Sequence, residues 1–215
     1  GDPTNFGASP DGRKINLIAD GTYNYIKSDL GAQGINAYIY ALITLDAGGY
    51  EVPEGSRYTR ESIIKIILAS QETDGGFGLE RGASDVDITA MALQALAPYA
   101  GESNVEKAIT AAVEYLSENQ RGDGSYLSGD EKSSESCSQV IMALCANGID
   151  PRTDERFIKH GMSVYDALLK FRLEDGSFVH CDGNRGNPMS TEQAILALGA
   201  IADLDNGGNG IFSFS

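Results

Sequence analysis

The sequence is short of several residue types, and each shortage excludes something. Its 215 residues include no tryptophan and only three cysteines, Cys137, Cys145 and Cys181, with no CxxC pair among them. An odd set of cysteines without that pairing gives no disulfide framework and leaves the cellular compartment open. No apolar run reaches the roughly eighteen residues of a membrane-spanning helix, so no membrane span is predicted.

Basic residues are also scarce. Lysine and arginine number 16 against 31 aspartates and glutamates, which gives a net charge of −15 at pH 7. The phosphates of nucleic acids and of anionic lipids would be repelled by such a surface. The composition therefore argues against nucleic acid as a partner and favours a well-solvated surface.

What the sequence does contain is a turn pattern in three copies, QETDGGF at 71–77, QRGDGSY at 120–126 and RLEDGSF at 172–178. An Ala-Leu pair follows each copy and a fourth pair precedes the first, at Ala92-Leu93, Ala143-Leu144, Ala197-Leu198 and Ala41-Leu42. Patterns that recur about every fifty residues indicate a repeat architecture. The sequence therefore predicts one solenoid-like or toroidal domain over residues 1–204.

The segments between the turns have helical periodicity of two kinds. Segments with an apolar stripe and a charged back are expected on the outside, and segments apolar on nearly every side are expected in the centre. Outer helices are predicted at 14–27, 59–71, 104–116 and 163–171, and inner helices at 34–46, 88–96, 140–146 and 194–201. With no strand pattern of note, the predicted fold is all-α, with four helix pairs. Residues 205–215, rich in Gly and Asn, are expected to be a linker or tail after which the natural chain continues.

The turn pattern has a structural interpretation. Glycine permits the positive φ of a tight reversal, the glutamine amide can satisfy free groups at a helix end, and the aromatic ring can pack on the neighbouring repeat. In this interpretation the turn is a clasp between repeats. The alternative is that Asp74, Asp123 or Asp175 contacts calcium or a glycan.

The order of outer helix, Gln-x-x-Asp-Gly-Gly-aromatic turn and Ala-rich inner helix resembles the repeat of the α/α-toroid superfamily. That superfamily includes squalene-hopene-type terpene cyclases, protein prenyltransferase β subunits and cobalamin carriers. Residues 34–46, 85–96 and 135–140 carry the resemblance, which is to bacterial surface or secreted proteins with prenyltransferase/squalene-oxidase repeats in particular. The resemblance implies a partial α/α toroid and an extracellular or cell-surface location.

One segment of the resemblance carries candidate chemistry. Asp85-Val86-Asp87-Ile88-Thr89-Ala90 resembles the Asp-x-Asp-Asp-Thr-Ala motif of class II terpene cyclases, in which the middle carboxyl protonates an alkene or epoxide. By position Asp87 would be that acid and Asp85 its partner. The third aspartate is replaced by Ile88, and the chain has no tryptophan to line a carbocation cavity. The alternative is that Asp85 or Asp87 caps the helix and complements its dipole.

A second enzyme interpretation is zinc-dependent prenyl transfer. Glu135-Ser136-Cys137 falls where the resemblance implies an Asp-x-Cys ligand pair, but residues 189–193 supply no histidine for the third ligand. His180 lies about ten residues too early in the sequence for that role, and His160 is predicted to lie in a linker. The sequence therefore predicts no metal site and no cofactor.

The starts of the inner helices form a further candidate site. If they point at a shared opening, polar side chains near each start would gather there as ligand-binding residues: Asn36, Tyr38, Tyr40, Ser138, Gln139, Glu192 and Gln193, together with Asp87. The structural alternative is that these are cap and first-turn residues.

Together these observations favour a non-catalytic binding module. Its expected partner is a small isoprenoid or corrinoid-like molecule, a protein or a glycan. An enzyme of the terpene cyclase or prenyltransferase kind, with Asp87 as general acid, is the alternative, and a purely structural spacer is a third possibility. Four helix pairs leave an uncovered edge, so self-association or additional domains are expected.

Overall fold

The computed structural model describes residues 1–181, 183, 185–208 and 210–212. Within them the chain forms eight α-helices: α1 (Leu17–Gly21), α2 (Asn36–Ala47), α3 (Arg60–Ala69), α4 (Val86–Leu96), α5 (Ser103–Asn119), α6 (Ser134–Ala146), α7 (Val164–Leu169) and α8 (Pro188–Asp205). Three 3₁₀ turns lie at Pro3–Asn5, Ala97–Tyr99 and Glu155–Phe157. The all-α prediction is confirmed. None of the helices among the described residues has the length and apolar character of a membrane span.

The contacts divide the described residues into two compact units, one of residues 1–70 with Phe212, and one of residues between 71 and 211. In the first unit α2 packs against α3. Arg60 of α3 donates to Asp46 Oδ1 at 2.7 Å and to the carbonyl oxygens of Leu45 and Tyr50 at 2.7 and 2.8 Å. This partly buried guanidinium thus ties the end of α2 to the start of α3.

The outer helix predicted at 14–27 is wrong, because only α1 is helical there. Asn16 caps it by accepting from the amide of Ala19 at 2.9 Å, and the Thr22 hydroxyl closes it by donating to the carbonyl of Ile18 at 2.6 Å. The residues after Gly21, TYNYI, are β-branched, aromatic or amide-bearing and have low helix propensity. The apolar spacing in the sequence therefore continues past the residue at which the helix ends.

In the second unit the three inner helices lie side by side in the order α4, α6, α8. The outer helix α5 packs on α4, and α7 packs on α6, so each outer helix contacts the inner helix that precedes it. The inner helices form the core: Leu93, Leu96, Ile141, Leu144 and Ala197 are fully buried. The nearly all-round apolar composition of these segments is explained by neighbours on several sides.

The prediction of no strands is wrong in detail. Three two-stranded hairpins occur: β1 (Gly7–Ala8) with β2 (Lys14–Ile15), β3 (Leu127–Ser128) with β4 (Glu131–Lys132), and β5 (Ile158–Lys159) with β6 (Met162–Ser163). The last is closed by His160 and Gly161, both at positive φ (49° and 80°), which matches the twist of a tight hairpin. Strands of two residues are too short to show an alternating pattern in sequence.

The clasp interpretation of the turns agrees with the geometry. Gln71 Nε2 donates to the carbonyls of Gly75 and Ala108, both at 2.8 Å, and Gln120 Nε2 donates to those of Gly124 and Phe157, both at 3.0 Å. Each amide therefore closes its own turn and binds a distant segment. The three turn aspartates accept hydrogen bonds from residues two positions later, Gly76, Ser125 and Ser177.

Gly124→Ala should lower the free energy of unfolding by about 3 kcal/mol. The backbone there has φ +84°, and a Cβ would lie 2.4 Å from the carbonyl oxygen of Ser163. Left-handed backbone costs about 1–2 kcal/mol for a residue with a side chain, and overpacking adds about 1–3 kcal/mol. Urea unfolding measures the change. Gly176→Ala is the matched control, because its φ is +87° but the nearest atom lies 3.9 Å away. Equal losses in the two variants would contradict the close packing at Gly124.

Candidate functional site

The three inner helices of the second unit begin in the same way. The residue before each helix accepts a hydrogen bond from the amide three residues on: Asp85 from Ile88 at 3.0 Å, Ser133 from Ser136 at 3.1 Å, and Asn187 from Ser190 at 3.3 Å. The backbone amides of these caps donate to the carbonyls of the turn aromatics Phe77, Tyr126 and Phe178. Each turn thus fixes where the following helix starts.

Two of these helices also share a threonine that hydrogen-bonds to the preceding turn. The Thr89 hydroxyl accepts from the amide of Phe77 at 2.8 Å, and the Thr191 hydroxyl accepts from the amide of Phe178 at 3.0 Å. Cys137 occupies the equivalent position of α6 and is fully buried. Burial raises the pKa of its thiol to about 12, so it is a neutral packing residue at ordinary pH.

This match corrects the register drawn from the Ala-Leu pairs. Those pairs aligned Asp87 with Ser138 and Glu192, but α6 and α8 begin three residues earlier relative to their Ala-Leu pairs than α4 does. Measured from the caps, the residue equivalent to Asp87 is Glu135 in α6 and Met189 in α8. Two carboxyl groups therefore stand at matching places on neighbouring helices.

The Asp87 carboxyl lies in the first turn of α4 and lacks a full set of partners. Its Oδ1 is buried and accepts no hydrogen bond, and the neighbouring Ser136 hydroxyl is also buried without a partner. Burial is the main cause that raises the pKa of Asp87 to about 6. The nearby Ser136 hydroxyl lowers the pKa of Asp87, although the two groups are not placed for a hydrogen bond. The negative charges of Asp85 and Glu135 raise this pKa further.

Glu135 has the opposite environment. Ser190 Oγ donates to Oε1 at 2.6 Å, His180 Nδ1 lies 2.7 Å from Oε2, and the hydroxyls of Ser133 and Ser134 lie 3.2 Å from Oε2. Burial opposes ionisation, but the hydrogen bonds from Ser190 and His180 outweigh it and hold the pKa of Glu135 below its usual range. Glu135 is therefore a buried carboxylate, whereas Asp87 is a carboxyl group that keeps its proton to a higher pH than an ordinary aspartate does.

A row of glutamines crosses the same three helices. Gln94 Nε2 donates to Gln139 Oε1 at 3.0 Å, and Gln139 Nε2 donates to Gln193 Oε1 at 3.2 Å. Gln94 follows Asp87 by seven residues, which is two turns or about 10 Å along α4 on the same side of the helix. Of the predicted ligand-binding residues, Gln139 and Gln193 are thus brought together, joined by Gln94, which the prediction did not include.

The other predicted residues are placed separately. The Ser138 hydroxyl is fully buried and donates to the carbonyl of Ser134 at 2.8 Å. Glu192 is exposed and lines a cleft of about 660 Å³ beside the third turn and the start of α8. Asn36, Tyr38 and Tyr40 lie on α2, in the first unit. Tyr38 is buried and donates to Asp29 Oδ1 at 2.7 Å, whereas Tyr40 is 44% exposed.

Asp85, the second predicted catalytic residue, is exposed and caps α4. The geometry thus supports the capping interpretation for Asp85 and a different role for Asp87. Over the described residues no group of three His, Cys, Asp or Glu side chains could hold a metal ion. The Glu135-Ser136-Cys137 segment instead divides into a hydrogen-bonded carboxylate and a buried thiol.

His180 and Ser190 are the site residues that the sequence did not identify. The position of His180 in the sequence argued against it as a third zinc ligand, yet its ring reaches Glu135. The backbone amide of Ser134 also donates to the carbonyl of His180 at 3.0 Å. The sequence offered one signal that His180 belongs to the site. His180 lies two residues after the aromatic residue of the third turn, in the segment that leads from the turn to the next inner helix.

Comparisons with known proteins find similar enzymes both by sequence and by structure, while no family model matches the chain. The sequence is 28% identical over 138 residues to drimenyl diphosphate synthase from Streptomyces showdoensis, covering 61% of this chain and 25% of the relative. The structure resembles ent-copalyl diphosphate synthase from Streptomyces platensis with a TM-score of 0.54 and 21% identity, covering 85% of this chain and 36% of that one.

These comparisons confirm the α/α fold and agree with a place in the α/α-toroid terpene cyclase superfamily. The chain spans about a quarter of the sequence relative and about a third of the structural neighbour. Both similar proteins are named as synthases, so the prediction of a non-catalytic binding module is wrong. The enzyme alternative is the better supported interpretation.

Proposed function

We propose that this chain belongs to an isoprenoid-processing enzyme of the terpene cyclase kind, in which Asp87 is the general acid. The observation that carries the proposal is the Asp87 carboxyl, which is buried at Oδ1, has no partner there and has a pKa raised to about 6. It stands at the middle position of the segment that resembles the cyclase acid motif. The names of the sequence relative and the structural neighbour support an isoprenoid diphosphate as the substrate class.

The proposed step is protonation of a carbon–carbon double bond. The π electrons form a new C–H bond with the Asp87 proton, the O–H electrons remain on the carboxylate, and the adjacent carbon becomes a carbocation that a second double bond can attack. An alkene is a weak base, so the donor must be neutral and poorly solvated. With a pKa of about 6, roughly half of Asp87 is protonated at pH 6 and about a tenth at pH 7.

Asp85 and Ile88 flank Asp87 in the sequence. Asp85 caps α4 and adds a negative charge that disfavours ionisation of Asp87. Ile88, which replaces the third aspartate of the cyclase motif, is buried. Burial is the largest cause of the raised pKa of Asp87, so the charged form is disfavoured here without a third aspartate.

The proposal is tested by incubating the purified protein with farnesyl diphosphate, geranylgeranyl diphosphate or squalene in D₂O. Protonation by an exchanged Asp87 should place one deuterium on carbon in each cyclised product, which mass spectrometry detects. For the diphosphate substrates the diphosphate group should be retained. No product from any of the three, or a product without deuterium, would contradict Asp87 as the initiating acid.

Asp85→Asn should leave stability nearly unchanged and lower product formation only slightly, because the charge of Asp85 contributes less than burial to the raised pKa of Asp87. Asparagine is as good an N-cap as aspartate, so the hydrogen bond to Ile88 is kept. Asp85→Ala should instead lose about 1 kcal/mol in the free energy of unfolding, because the amide of Ile88 loses its acceptor. Thermal unfolding and the product assay separate the two effects. A large loss of turnover in Asp85→Asn at unchanged stability would show that Asp85 takes a direct part in the chemistry.

A further inference from the structure

One side of α8 is exposed to solvent, although α8 is an inner helix. Ile195 is 60% exposed, whereas the residues at the equivalent places of the other two inner helices, Leu93 in α4 and Ile141 in α6, are fully buried. Each of the three follows the cap of its helix at the same spacing. In α8, a position that the repeat elsewhere uses for its core is therefore open to water.

The exposed residues of α8 form one continuous face. They recur every three or four residues, which is the spacing of one side of a helix, and we call this set the α8 face: Met189, Glu192, Ile195, Leu196, Gly199 and Ala202. Glu192 is the charged member of the set. The 18 residues of α8 make the helix about 27 Å long. A contiguous, mostly apolar exposed face of this length is typical of an interaction surface.

The third turn, beside the start of α8, is less covered than the second. A Cβ at Gly124 of the second turn would lie 2.4 Å from the carbonyl oxygen of Ser163, in the segment that leads into α7. At Gly176 of the third turn, the nearest atom in the described part of the chain belongs to the same turn and lies 3.9 Å away. The cleft of about 660 Å³ opens here and reaches the α8 face at Ile195 and Leu196.

The α8 face is complementary to itself when two copies of the helix run antiparallel. With Ile195 beside the two-fold axis, Met189 of one copy lies opposite Ala202 of the other, which sets a large side chain against a small one. Glu192 then lies opposite Gly199, which has no side chain to block the carboxylate from solvent. One face can therefore serve both copies, as in the two-fold contacts that are commonest among homo-oligomers.

The charges at the two ends of α8 favour antiparallel over parallel pairing. Arg185 is exposed just before the helix starts, and Asp203 lies in its last turn. An antiparallel pair places Arg185 of one copy near Asp203 of the other, whereas a parallel pair places like charges together. The helix dipoles are also opposed in the antiparallel pair, so the positive end of each helix lies near the negative end of its partner.

We propose that two copies of this chain associate through the α8 face, with their α8 helices antiparallel. The inference does not rest on the proposed function, whose acid lies on α4. Burial of Met189, Ile195 and Leu196 drives the association. The net charge of −15 on each copy opposes it, and a contact made mainly by one helix from each copy is small. We therefore expect a reversible dimer with a Kd on the order of 10 µM.

Sedimentation velocity from about 1 to about 200 µM tests the proposal. The unchanged protein should pass from monomer to dimer over this range. Ile195→Asp should weaken the association at least about tenfold, because it places a charge inside the contact. Leu79→Asp is the matched control, at a leucine that is 44% exposed in a turn of the same unit, and should leave the association unchanged. A monomer at every concentration, or equal weakening in the two variants, would overturn the proposal.

Cross-linking tests the direction of the pair. Leu196→Cys should form a disulfide between copies under oxidising conditions, because the residue lies beside the axis and a disulfide needs Cα atoms within about 7 Å. Ala202→Cys should not, because antiparallel pairing separates it from its mate by about 20 Å. Mass spectrometry distinguishes these links from any made by the half-buried Cys181. Links in both variants would show parallel pairing and links in neither would show another surface, and either result would overturn the proposal.

Discussion

Asp87→Asn should abolish turnover and at the same time make the protein more stable at neutral pH. Asparagine has nearly the shape of aspartate but no acidic proton, and removing a general acid typically costs about 10²–10⁴-fold in rate. Because protonation starts the proposed reaction, we expect a loss of at least about 10³-fold. Product formation from an isoprenoid diphosphate at pH 6, followed by mass spectrometry, measures it.

The stability gain follows from the raised pKa of Asp87. Unfolded, this carboxyl releases its proton near its ordinary pKa of 3.8, whereas folded it holds the proton to about pH 6. Between these values the folded state binds more protons, so the free energy of unfolding falls as pH rises. The full loss, reached above about pH 7, corresponds to about 3 kcal/mol. Asp87→Asn removes this loss.

Urea unfolding at pH 4 and pH 8 tests this gain in stability, because Asp87 is protonated in the folded protein at the first pH and ionised at the second. The variant and the unchanged protein should be equally stable at pH 4, where Asp87 is neutral in the folded protein, and the variant should be more stable by about 3 kcal/mol at pH 8. Asp85→Asn is the control, because Asp85 is exposed and its charge is a smaller cause of the raised pKa of Asp87 than burial, so any gain should be much smaller. Equal stability of Asp87→Asn and the unchanged protein at both pH values would show that Asp87 is not desolvated.

Glu135→Ala should lower the free energy of unfolding by about 3–5 kcal/mol at pH 7. The change removes a buried acceptor from Ser190, His180 and Ser133, while the Ser134 hydroxyl keeps its alternative acceptor at Val179, 2.7 Å away. Buried donors left without acceptors cost about 1–3 kcal/mol each, and breaking a buried charged network has a similar total cost. The cavity left by the side chain adds to the loss.

The loss of stability in Glu135→Ala should depend on pH. The pKa of Glu135 is lowered in the folded protein, so its contribution is present above the ordinary pKa and is lost as pH falls through the folded value. The difference in the free energy of unfolding between the unchanged protein and Glu135→Ala should therefore become smaller at acid pH. Glu192→Ala, at an exposed glutamate of α8, is the control and should change stability by less than about 0.5 kcal/mol. Similar losses in the two variants would contradict the buried network.

Local patterns predicted much of the fold. Seven of the eight predicted helices have counterparts in α2 to α8, because apolar periodicity and caps act within a few residues of one another. The failed helix at 14–27 shows the limit, since its periodicity continues where Thr22 turns the backbone away. The short hairpins were missed because two-residue strands carry no periodic signal.

The candidate site was predicted in part. Asp87 was identified from its motif. The capping role considered for Asp85 follows from its position directly before an apolar helix. The alignment of Asp87 with Ser138 and Glu192 failed, because the Ala-Leu pairs lie at different distances from the caps. The turn aromatic fixes the start of each helix by a backbone hydrogen bond, which sequence spacing does not reveal.

The sequence by itself determined the repeat, the all-α fold and the position of a carboxyl group at the start of α4, since each depends on residues close together in the chain. Tertiary structure alone decided which carboxyl has a raised pKa and which has a lowered one. Asp87 and Glu135 differ by one methylene group in chemistry, but His180 and Ser190, 45 and 55 residues from Glu135, approach only Glu135. Ionisation of a buried acid depends on its donors and its solvation, and both are set by folding.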